Sequence, residues 1–140
     1  MKILLNSIII SDKNVLLVGM GGENTNPSSE MQAVSLPNFA NISKCSPPPP
    51  YPIALSGTIG IFWQRKVVIC GGQTHDGTAL RKCYRLQRQK RIWKFDNTLK
   101  MRKPRSFAAS AAIRPNSNER KEWWITGGRD GHNSLQRGTE

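Results

Sequence analysis

The chain is 140 residues long with a formal net charge of +12, 37% apolar and 21% charged residues, 12 glycines and 9 prolines. That is the size of one domain, lean in core-forming residues and rich in turn formers, which argues for an all-β molecule over a helical one. No stretch approaches the roughly 20 consecutive apolar residues that a membrane-spanning helix needs.

Residues 1–10 hold one Lys and an apolar stretch broken by Asn6 and Ser7. They lack the uninterrupted core of a signal peptide and read as a strand. The turn Asp12-Lys13-Asn14 leads into an apolar run over residues 15–20 that ends at Gly21 and Gly22. A polar loop over 23–29, with Glu23 and Asn24, precedes a third alternating strand at Ala33-Val34-Ser35-Leu36. Residues 45–52 form a connector whose four consecutive prolines cannot donate to a ladder.

The same order then recurs. A short apolar strand at 53–55 and the turn Gln64-Arg65-Lys66 precede Val67-Val68-Ile69-Cys70, which ends at Gly71 and Gly72. A loop over 73–80 with His75 and Asp76 leads to Cys83-Tyr84-Arg85-Leu86, and a fourth strand follows at Arg91-Ile92-Trp93-Lys94-Phe95. The third pass runs from a small-residue strand at 107–113 through a longer turn to Trp123-Trp124-Ile125-Thr126, Gly127 and Gly128, then a loop with Arg129, Asp130 and His132. A run of β-branched and aromatic residues halting at Gly-Gly is a buried strand leaving its sheet, because glycine supplies the positive φ of the exit. Three such exits, 50 and 56 residues apart, make a repeat.

A period near 50 with a Gly-ended strand, an aromatic about a dozen residues on and a Trp beyond resembles the kelch repeat. The matching positions are Gly21, Gly22, Gly71, Gly72, Gly127, Gly128, Tyr84, Leu86 and Trp93. The chain departs from that pattern in placing Leu86 where Tyr is usual and in lacking the Trp of the first unit. The resemblance implies a kelch-type β-propeller segment of about three blades, each a four-stranded antiparallel sheet, in an incomplete ring. Its divisions would be a partial first repeat at 1–44, the connector at 45–52, a second repeat at 53–104 and a truncated third at 105–140. Propellers close with four to eight blades, so the remaining blades are expected on a longer chain. Some secreted kelch-like proteins carry cysteines where Cys70 and Cys83 stand, and adjacent strand ends suit a disulfide. Three cysteines and the sequon Asn41-Ile42-Ser43 leave the compartment open between secreted and cytoplasmic.

No Ser, Thr or Cys has a nucleophile context, and no glycine pattern cradles phosphate between strand and helix. His75 and His132 lack a third ligand at metal spacing. No catalytic residue, metal or cofactor is therefore expected. The function that fits is a non-enzymatic scaffold binding a protein partner through its loops, at Glu23, Asn24, His75, Asp76, Arg129, Asp130 and His132. The alternative is a nucleic-acid or polyanion surface at 81–105, where 11 of the 21 basic residues meet one acid, Asp96, with Tyr84 and Trp93 as stacking platforms.

Overall fold

The computed structural model describes residues 8–12, 15–23, 26–35, 48–63, 66–89, 92–113, 120, 122–132, 135 and 138. Among these the regular structure is entirely strand, and every ladder is antiparallel. The first sheet holds β1 (Ile8–Asp12), β2 (Val15–Glu23) and β3 (Asn26–Ser35). The second holds β4 (Ile59–Trp63), β5 (Lys66–Cys70), β6 (Lys82–Gln89) and β7 (Ile92–Lys100). The third holds β8 (Ala109–Ile113) and β9 (Glu122–Thr126). Within each sheet, spatial order equals chain order, and β4 lies beside both β1 and β8, the first strands of their sheets.

The apolar run of β5 is continuous because the second sheet is covered on both faces. Val67 and Ile69 join Leu86 on one face and meet Met31 of β3, with Tyr51 and Leu55 from the connecting chain. Val68 and Cys70 point the other way, with Ile59 and Cys83, and meet Met101 and Ile125 of β9. Burying each such aliphatic side chain contributes about 1.5–3 kcal/mol, so the two interfaces, not strand propensity, hold the three sheets in a stack.

The second sheet has the fourth strand that the sequence reads there, and among the described residues the other sheets have three and two strands. Three features differ from the sequence expectation. Gly21 and Gly22 do not end a strand: β2 passes a bulge between Gly19 and Gly21 and continues to Glu23, pairing Gly21 with Ser28 and Gly22 with Pro27. The extra bulge residue absorbs the bend that an exit would have supplied. Residues 53–55 are not the first strand of the second unit. That strand is Ile59–Trp63, which pairs with β5 from Ile59 opposite Cys70 to Trp63 opposite Lys66, while Leu55 bridges to Ser28 of the first sheet.

The connector, finally, is structural and not a mere spacer. The Tyr51 amide donates to Ser29 O at 2.7 Å, and its ring, 2% exposed, sits edge-on to Tyr84 and Phe95 at 5.2 Å from each. Its hydroxyl donates to Ile69 O at 3.3 Å, and burial, with Tyr84 adding, pushes the phenol far above its ordinary range. Asn24, the sequon, Cys45 and Leu36 lie outside the described residues.

Candidate functional site

Two of the three expected strand exits form as glycine requires. Gly71 and Gly72 have φ of +64° and +89°, and Gly127 and Gly128 have +69° and +87°. After each pair the chain makes the same contacts. Gln73 bridges to Ser56 and Ala79, and Arg129 bridges to Ser106 and Leu135. The repeat read from glycine spacing is thus repeated in hydrogen bonding.

The loops that follow share one turn as well. Asp76 accepts from the Thr78 amide at 3.1 Å and from the Thr74 hydroxyl, and Asp130 accepts from the His132 amide at 2.9 Å. These are side-chain-to-backbone turns two residues long, which explains Asp at both places. The Thr74 hydroxyl first, then the Thr78 amide, holds the Asp76 carboxyl down to about 2. The loops also touch: a side chain on Gly131 would come within 3.3 Å of Ala79 N and 3.7 Å of Thr78 Cα. Asp76, His75, Arg129 and His132 are exposed on this pair of loops, with Asp130 half-buried.

Below the loops the two units are riveted together. The Ser106 hydroxyl reaches Gln73 Oε1 at 3.3 Å and Arg129 O at 3.4 Å. Arg105, 2% exposed, donates from Nη1 to Gly127 O at 2.6 Å, while its own carbonyl accepts from the Gly72 amide at 2.8 Å. A buried guanidinium demands such partners. Its sequence signal, the Pro104-Arg105 step, shows no charge pattern that distinguishes it from its exposed neighbours Arg102 and Lys103.

Phe107 is the other residue that sequence reasoning missed. It occupies the place in the third unit that Gly57 holds in the second, with φ of +53° against +63°, and it is 42% exposed. Its amide donates to Gly57 O at 2.8 Å, and its ring lies where a Gly57 side chain would go, 2.9 Å from that site. A bulky residue held in the left-handed region carries strain of order 1–3 kcal/mol, and such strain concentrates at functional surfaces.

The remaining expectations divide. Glu23 lies in β2 paired with Asn26 of β3, so both ends of the expected loop at 23–29 belong to strands; Asn24 lies outside the described residues. Cys70 and Cys83 are joined by a disulfide across directly paired positions of β5 and β6. Tyr84 packs, partly buried, beside Phe95 and Tyr51, and the side chain of Trp93 lies outside what the structure describes. Trp63 and Trp123 pack half-buried between the second and third sheets, and Trp124 is 43% exposed. Among the described residues, no three His, Cys, Asp or Glu side chains converge as metal ligands would, and no helix is long and apolar enough to cross a membrane.

No protein-family model matches the chain, and no curated protein matches it in sequence. In fold it is similar to the solved structure of YjhT, with a TM-score of 0.66 at 10% identity, over 96% of this chain and 40% of that one. The chain therefore spans well under half of that neighbour's length, and the likeness bears on fold alone.

Proposed function

We propose that the chain is a segment of a kelch-type β-propeller acting as a non-enzymatic scaffold, whose paired loops at 73–80 and 129–135 recognise a protein partner. The observation that carries this reading is the close approach of Gly131 to Thr78 and Ala79, which brings two loops, each with an Asp accepting from the amide two residues on, side by side above the stacked sheets. Loops held by a scaffold are the usual seat of recognition, and an exposed aromatic amid polar groups is the usual energetic centre. Phe107, one residue from the Ser106–Arg129 bridge, fills that role. The stacked antiparallel sheets with adjacent first strands support the propeller geometry.

The test uses Phe107→Gly, which removes the aromatic and relieves its backbone, alongside His75→Ala/His132→Ala. A partner isolated by affinity capture is purified and its binding measured. Phe107→Gly is expected to weaken that binding at least about tenfold while changing stability by less than about 1 kcal/mol. Unchanged affinity in both variants removes the loop face from consideration.

A further inference from the structure

We propose that the corner where β6 begins and β7 ends is a binding site for a linear sulfated glycan. This site is separate from the loop face and stands whether or not that face binds a protein. Lys82 and Lys100 are directly opposite in the β6–β7 ladder. Like charges at such a cross-strand pair are mutually destabilising, and a local violation of this kind marks a place selected for something other than stability. Arg81 joins them, its carbonyl accepting from the Met101 amide at 2.8 Å, and Arg102 and Lys103 follow at once. All five side chains are exposed.

The single acid of residues 81–105, Asp96, lies further along the strands opposite Arg85 and takes two bonds from its guanidinium, at 2.8 and 3.1 Å. It therefore does not stand between the two lysines. Among the described residues β7 is the last strand in its sheet's order, which sets the corner at a sheet edge.

Two observations select the polyanion. Reading single-stranded nucleic acid calls for exposed aromatic platforms, and Tyr84, the aromatic nearest the corner on β6, packs inward against Tyr51 and Phe95. The disulfide Cys70–Cys83 anchors the start of β6 one residue from Lys82, with both cysteines at most 3% exposed. Disulfides form and persist in oxidising compartments, where sulfated glycans, and not nucleic acids, are the abundant linear polyanions. Cationic groups close together, three lysine ammoniums among them, suit repeated sulfates, which require charge and spacing but no planar readout.

The experiment measures binding of a size-defined heparin octasaccharide by calorimetry at about 0.05 and 0.15 M salt. It compares the unsubstituted protein, the corner variant Lys82→Ser/Lys100→Ser, and a control of equal charge loss at the far end of the sheet, Lys66→Ser/Lys94→Ser. The corner variant is expected to bind about tenfold or more weakly and the control within about twofold, with weaker binding at higher salt. Its melting temperature should equal or exceed that of the unsubstituted protein, because a like-charge pair is gone. Equal losses in both variants, absence of binding at the higher salt, or tighter binding of a single-stranded RNA of matched charge would each overturn the assignment.

Discussion

The second and third sheets end their Gly-Gly strands with the same bridges and live in different surroundings. In the second, Ile59, Val68 and Cys70 are each at most 3% exposed. At the matching places of the third, Ala109, Trp124 and Thr126 are exposed. Their opposite faces do not differ in this way: Ile69 and its counterpart Ile125 are both buried. Burial in this molecule is therefore conferred by the next unit along the chain and not by a strand's own hydrophobicity. A residue's importance follows from whether a neighbour has been laid over it.

Glycine substitution breaks the comparison most sharply. A side chain on Gly71 would stand 2.4 Å from Arg105 O and 2.8 Å from Met101 Cε, whereas one on Gly127 meets nothing within 4 Å among the described residues. Both positions need positive φ, so Gly127→Ala should cost about 1 kcal/mol, while Gly71→Ala adds a backbone collision and should cost at least about 4 kcal/mol in a urea melt. Equal costs would mean that the third unit does not press on the second in solution. Next in size is the disulfide: Cys70→Ala/Cys83→Ala should lose about 3 kcal/mol, the value expected for a closed loop of this length.

Smaller still is truncation at matched core positions. Val68→Ala should cost about 2 kcal/mol, and Trp124→Ala, although it deletes a far larger side chain, should stay within about 0.5 kcal/mol. The smallest effect concerns the loops. The Asp76 carboxyl falls from 3.8 to about 2 on folding, so its support of the turn is present above pH 3.8 and fades as pH drops through about 2. The Thr78 amide resonance, followed by NMR during acidification, should move with a midpoint near pH 2; a midpoint near 3.8 would detach Asp76 from the turn.

Much of this was legible before any coordinates. Gly71, Gly72, Gly127 and Gly128 announced strand exits because an apolar run stopped at a residue pair that alone tolerates the required φ. Gly21 and Gly22 looked the same and behaved otherwise, since a bulge, which leaves no mark in composition, can absorb what an exit would do. The shift from residues 53–55 to Ile59–Trp63 has a similar origin. Both runs are apolar, and only the register, with Trp63 opposite Lys66, distinguishes the one that pairs with β5. Tyr51 was obscured by four prolines, whose lack of amide donors says nothing about the side chain that follows them. Arg105 and Phe107 were illegible for a deeper reason: burial of a guanidinium and a left-handed aromatic are both imposed from outside their own segment.

The carbonyl of Arg105 has a consequence in time as well as in space. All four strands of the second sheet have been translated once residue 100 is made, yet the Gly72 amide finds its acceptor only at residue 105, and the Arg105 guanidinium finds Gly127 later still. A nascent chain emerging from the ribosome thus completes its second sheet with atoms of the third unit. Synthesis at about 5–20 residues per second leaves the second sheet with one unfinished corner for a few seconds, until residues 105–127 arrive to close it.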